Sequence, residues 1–227
     1  MLPTPSNLRT SWFSVPSRFR HPERRWAGLT LLAAATCAQA QTLHVIPALP
    51  GGAFTYPTGI SADGSAVAGG NVLPSGDFDR GFTWTSAGGS QPVGDLTGYT
   101  MANTLTGISG DGSTVVGLAF DPDFNTAAFR YRNGAMENLG RLPGPGLSAA
   151  ANGVNHDGSV VTGTSTAGDN AFNRAFRWTS GGMQDLGVLP GGTYSLGLAI
   201  SGDGGVVVGN GDVGSDGRAF RWTQADG

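Results

Sequence analysis

The chain has 227 residues, of which 39 are Gly and 13 are Pro; it contains no Lys and carries a formal net charge of −3. Charged residues make up 13%, about half the roughly 25% of an average globular domain, which argues against a helical bundle with Lys/Glu faces and against a nucleic-acid surface. An apolar fraction of 39% at low net charge also excludes a disordered chain and leaves a turn-rich, all-β protein.

The first forty residues read as a signal peptide. Arg18, Arg20, Arg24 and Arg25 form a basic region, WAGLTLLAAAT (26–36) an apolar one, and Ala38-Gln39-Ala40 a small-x-small site with cleavage before Gln41. The apolar run is shorter than the ~20 residues of a membrane span. Arg24-Arg25 as a twin-arginine signal and Cys37 as a lipoprotein cysteine are poorer fits. The remainder, 41–227, holds 8 Arg against 15 Asp and Glu, a net charge of −7, with no Cys and no further spanning segment. The expectation is a secreted or periplasmic domain held together without disulfides.

This remainder is a repeat with a period of about 46 residues. GISADGSAVAGG (59–70) recurs as GISGDGSTVVGL (107–118), GVNHDGSVVTGT (153–164) and AISGDGGVVVGN (199–210). A second block follows each: RGFTWT (80–85), AAFRYR (127–132), RAFRWT (174–179) and RAFRWT (218–223). A third appears as PVGDL (92–96), MENLGRLPG (136–144) and MQDLGVLPGG (183–192). The copies run approximately 43–89, 90–135, 136–182 and 183–227.

Each copy predicts four short antiparallel strands, A to D, with a type I′ hairpin at the Asp-Gly pair between A and B. That is the blade of a β-propeller, and blades bury their faces only by stacking on one another. TLHVIPALPGG (42–52) aligns with the fourth strand and following loop of the third copy, whereas the fourth copy reaches Asp226-Gly227 after its third strand. The prediction is a four-bladed ring closed by the N-terminal strand, hence a monomer; the alternative is a partial array belonging to a larger ring.

The combination L-G-x-L-P-G-G, G-I-S-x-D-G-x-V-V-x-G and A-F-R-W-T resembles the HAF family of extracellular repeats over about residues 43–223. The resemblance implies a propeller-like protein exported by a bacterium and brings no catalytic residues with it.

The repeated residues read as architecture. Asp63, Asp111, Asp157 and Asp203 are explained by the hairpin turn, and Phe82, Phe129, Phe176 and Phe220, with Trp84, Tyr131, Trp178 and Trp222, by packing between blades. Gly209-Asn210-Gly211-Asp212-Val213-Gly214 mimics a dinucleotide loop but precedes a strand rather than a helix. His44 and His156, the two His beyond the leader, assemble no catalytic triad or zinc site.

The irregular residues carry the functional expectation. The B–C loops and D–A connections should share one face of the array, where Asp77, Asp79, Asp169, Asp212 and Asp216 would lie beside Tyr56, Tyr99 and Tyr194 as a surface for an extracellular glycan or protein. Asp121, Asp123 and Asn125 open like a calcium loop but lack its Gly and distant Glu, so Ca²⁺ is the one cofactor the chain hints at. A binding module is therefore expected first, a purely structural array second, and a carboxylate-based hydrolase or lyase last.

Overall fold

The computed structural model describes residues 43–167 and 172–225, apart from the side chains of Phe78 and Asp79; the predicted signal peptide and its cleavage site, with Asp169 and Asn170, lie outside the described residues. Among the described residues, fifteen strands form four antiparallel sheets. Blade 1 comprises β1 (Phe54–Ile60), β2 (Ala66–Val72), β3 (Phe78–Thr85) and β4 (Gly89–Pro92). Blade 2 comprises β5 (Ala102–Ile108), β6 (Thr114–Phe120), β7 (Thr126–Arg132) and β8 (Ala135–Asn138), and blade 3 comprises β9 (Ala149–Val154), β10 (Val161–Ala167), β11 (Phe172–Thr179) and β12 (Gly182–Asp185). Blade 4 has three strands, β13 (Ser195–Ile200), β14 (Val206–Val213) and β15 (Asp216–Thr223). Strand order within each sheet follows the chain, as the repeat predicts.

The hairpin between A and B differs from the expected two-residue type I′ loop. Only its glycine is left-handed, with φ of +75° at Gly64, +72° at Gly112, +73° at Gly158 and +74° at Gly204. Gly64 N–H donates to the Ser61 carbonyl at 3.0 Å and Ser61 N–H to that of Ala66 at 2.9 Å, so the loop spans residues 62–65. Asp63 stays right-handed because its carboxylate accepts from Ser61 Oγ at 2.7 Å and from Ser65 N at 2.9 Å, an Asx-type brace across the turn. Type I′ geometry occurs instead at Asn133-Gly134, with φ of 52° and 79°, between β7 and β8.

Strand A carries a bulge in every blade. Pairing with strand B skips Thr58, Thr106, Asn152 and Leu198, and bulges re-aim side chains in this way. Thr106 Oγ1 donates to Ala151 O at 2.7 Å, and Asn152 Nδ2 to Gly197 O at 2.7 Å, each on strand A of the next blade. The kinked strand A also presses a carbonyl against the glycine of strand B. A Cβ at Gly117 or Gly163 would drive into the carbonyl oxygen of Thr104 or Ala150.

The core lies between blades. Phe129 is buried with Ala68 and Val93 of blade 1, and Phe176 and Trp178 with Val116 and Ala128 of blade 2. Strands β5, β9 and β13 each pack on strands A to C of the preceding blade. Backbone hydrogen bonds join the hairpin ends, Ala62 N to Gly110 O at 2.8 Å and His156 N to Gly202 O at 3.0 Å. Among the described residues blade 4 does not stack on blade 1 in this way, and residues 43–53 form no strand. The predicted closure by the N-terminal strand is therefore not seen.

Gly117→Ala is expected to lower stability by about 1–3 kcal/mol through overpacking against Thr104, read as a reduced urea midpoint at unchanged m-value. An unchanged midpoint would contradict the close approach of strands A and B.

Candidate functional site

The B–C loops and D–A connections do meet on one face. Between blades 1 and 2 they form an open cleft of about 500 Å³ lined by Leu73, Gly76, Asp77, Met101, Ala102, Phe120 and Phe124. Met101 is 51% and Phe124 68% exposed, an unusual display of large apolar side chains around a concavity. Phe124 is held at φ +62°, a left-handed conformation that a bulky residue adopts only when its surroundings impose it. The imposing group is Asp121. Its Oδ1 accepts from Asp123 N at 2.9 Å and Asn125 N at 2.8 Å, its Oδ2 accepts from Asn125 Nδ2 at 2.9 Å, and Phe124 N–H donates to the Asp121 carbonyl. These bonds lower the Asp121 pKa, the Asn125 side chain contributing most. The stretch that opens like a calcium loop is braced by its own hydrogen bonds and presents Phe124; among the described residues no group of three metal-ligating His, Cys, Asp or Glu occurs.

The other candidate residues take diverse positions. Asp77 stands exposed at the cleft rim, accepting from Ser75 Oγ at 2.8 Å. Asp212 is buried and accepts from Thr193 N at 2.7 Å, Thr193 Oγ1 at 2.8 Å and Tyr194 N at 2.9 Å, which tethers the β12–β13 connection and depresses its pKa, the Tyr194 amide contributing most. Asn71 holds the corresponding segment on blade 1, taking Leu49 N–H at 3.2 Å. Asp216 pairs with Arg218 at 2.7 Å on the surface. Asp169 and the Asp79 side chain lie outside the described residues.

The three tyrosines do not line the cleft. Tyr56 sits half-buried within β1 with its ring against Gly70, and burial raises its pKa. Tyr99 packs half-buried beside the cluster containing Val93 and Leu96. Tyr194 leads into β13, half-buried, its amide on Asp212.

Two sets of residues went unread in the sequence. The cleft residues Leu73, Met101, Phe120 and Phe124 carry a weak signal, a Phe inside an otherwise polar loop. The strand-C arginines carry a stronger one, since alternation sets Arg130 and Arg177 opposite the buried Phe and Trp faces. Arg130 Nη1 donates to Gly158 O at 3.0 Å and lies 4.6 Å over the Trp178 ring of the next blade, while Arg177 Nε donates to Gly204 O at 3.0 Å.

No family model matches the chain, and no curated protein matches it. Similar folds occur in solved structures. A putative TolB from Agrobacterium tumefaciens gives a TM-score of 0.55 at 16% identity, over 75% of this chain and 58% of that one. TolB from Acinetobacter baumannii gives 0.54 at 15% identity, over 76% and 42%. The β-propeller domain of the Trilobed protease from Pyrococcus furiosus, described as having an open velcro topology, gives 0.51 at 11% identity, over 75% and 55%. The chain spans about half the length of these proteins, and the likeness establishes a β-propeller fold of which four blades are present.

The hairpin aspartates predict a pH response. Hydrogen bonds from the Ser65 amide and the Ser61 and Ser65 hydroxyls lower the Asp63 pKa from 3.8 to about 2, and the Ser109, Ser159 and Ser201 hydroxyls lead in depressing Asp111, Asp157 and Asp203. A depressed folded-state pKa contributes stability that is full above the unfolded value and lost as pH falls through the folded one. Thermal midpoints should be flat from about pH 7 to 5 and fall between about pH 4 and 2. An Asp63→Asn/Asp111→Asn/Asp157→Asn/Asp203→Asn variant should show a shallower fall, and an unaltered profile would contradict this assignment.

Proposed function

We propose that this chain is an exported binding module, acting in the periplasm or outside the cell, whose loop face takes up a segment of a partner protein. The observation that carries the reading is the cleft between blades 1 and 2. Phe124 is displayed at its edge by a strained, self-braced loop, and Met101 and Phe120 supply apolar walls. Strain of this kind persists where the surroundings over-determine it, and it gathers at binding sites. The lining suits an apolar or aromatic anchor on a peptide better than a sugar, whose hydroxyls need convergent hydrogen-bonding groups. Asp77 at the rim favours a basic residue next to that anchor. The leader pattern read at 1–40 and the resemblance to HAF repeats support the export. Separately from this reading, the segment that aligns with strand D, around residues 43–45, is proposed to complete blade 4.

A phage-displayed peptide library and a glycan array, each probed with the parent chain and with Phe124→Asn, test this function. Asn accepts the left-handed backbone but removes the apolar edge, so the variant should stay folded. The expected result is enrichment of peptides with an apolar anchor and at least about tenfold weaker capture by the variant. Glycan binding that survives Phe124→Asn, with no peptide enriched, would overturn the reading.

A further inference from the structure

Blade 4 presents a face that the other blades keep covered. Val208 of β14 occupies the position of Ala68, Val116 and Thr162, each 0% exposed against the next blade, yet Val208 is 42% exposed. Leu198, the bulge residue of β13, is 44% exposed where Thr106 and Asn152 reach across to the following strand A. Arg221 stands exposed at the position from which Arg130 and Arg177 bond the next hairpin.

Blade 1 presents the complementary face. Ile60 is 62% exposed, whereas its counterpart Ile108 lies against Gly59 of the preceding blade. Trp84 holds the place in which Trp178 receives Arg130, and Gly64 the place in which Gly158 and Gly204 give their carbonyls to arginine. These two faces are the halves of one interface whose strand packing the chain builds three times, between blades 1 and 2, 2 and 3, and 3 and 4, and whose arginine-to-hairpin bond it builds at the last two, Thr83 standing at the arginine position of blade 1.

We propose that a second copy of this chain covers the open face of blade 4 with its own blade 1, and that two copies join reciprocally into one eight-bladed ring. Continuity with the internal interfaces supplies the occupant, because register, apolar contacts and the arginine-to-hairpin bond all carry on without a change of residue type at Arg221, Trp84 and Gly64. Head-to-tail contacts of this kind form rings when the rotation closes, and eight blades fall within the usual range of four to eight. The matched stretch makes up 55% of the length of the Pyrococcus propeller domain, so four blades are about half of a propeller of that size.

The same assembly places a fourth strand on blade 4. In blades 1 to 3 the stretch of strand C beginning at Phe82, Phe129 and Phe176 pairs with strand D, whereas β15 has β14 as its one partner among the described residues. Leu43 and Val45 align with Met183 and Asp185 of β12 and are 102% and 88% exposed. The connection that follows is already seated as in blade 4, Gly52 N–H donating to Leu49 O at 2.9 Å as Gly192 N–H donates to Leu189 O at 2.8 Å. In the ring, residues 43–45 of each copy extend the β15 edge of the other. The inference stands on blade register and is independent of the loop-face reading.

Sedimentation velocity of the full chain, with Val208→Asp and Ile60→Asp beside it, tests the assembly. Both substitutions sit at exposed positions, and far-UV circular dichroism checks that each variant is folded. The parent should sediment at twice its 23.1 kDa and each variant as a monomer. An equimolar mixture of the two variants should recover a dimer, since one undamaged interface remains between them. A monomeric parent at tens of micromolar would overturn the proposal and assign residues 43–45 to closure within one chain. A dimer lost with Val208→Asp but kept with Ile60→Asp would also overturn it, because the contact would then be between two blade 4 faces.

Discussion

The bulge in strand A governs how this chain becomes an array rather than a set of separate hairpins. A four-stranded sheet has two faces, and neither is wet in a propeller except at an end of the series. The bulge turns one side chain out of the pleat and toward the next blade, where Thr106 and Asn152 cap carbonyls of a neighbouring strand A. The same kink brings a carbonyl of strand A against strand B, which is why glycine stands at 69, 117, 163 and 209. Phe82 and Phe176 lie over the space that those glycines leave open. One local distortion thus accounts for a glycine and an aromatic position in each repeat, and for a polar position in the first three, Leu198 standing there in the fourth.

The residues that repeat most faithfully are therefore the ones least able to serve a ligand. The four hairpin aspartates are occupied by serine hydroxyls and loop amides, and Asp212 and Asn71 by the connections between blades. What remains for recognition is what varies between copies. The loop at 121–125 is such a place: its polar residues bind one another and leave Phe124 outside. A rigid scaffold with one unusual loop is a common arrangement for a binding site.

The strand pattern, the blade order, the sharing of one face by B–C loops and D–A connections, and the structural role of the Asp-Gly pairs were all legible in the sequence, because each rests on local chemistry repeated four times. Turn geometry was legible in part. Asp-Gly signals a tight turn, but the serine two residues before each of Asp63, Asp111 and Asp203 lets the carboxylate brace a longer loop with a single left-handed residue. The site was least legible. Of the acidic residues and tyrosines that the sequence offers, Asp77 lines the cleft, whereas its apolar walls are assembled by Leu73, Met101 and Phe124, which span 51 positions along the chain. Asp212 was misleading for a related reason, since a buried carboxylate that anchors backbone amides has the same spelling as an exposed one that awaits a ligand.

The claim that bulge residues tie blade to blade is most directly tested by comparing two equivalent threonines. Thr106 Oγ1 donates to the next blade, whereas Thr58 Oγ1, at the same position of blade 1, is buried without a hydrogen-bond partner among the described residues. Urea unfolding of Thr106→Val and Thr58→Val should show a loss of about 0.5–1.5 kcal/mol for the first, which removes the hydrogen bond between blades, and none or a slight gain for the second, which removes an unpaired hydroxyl. Equal losses at the two positions would contradict the account.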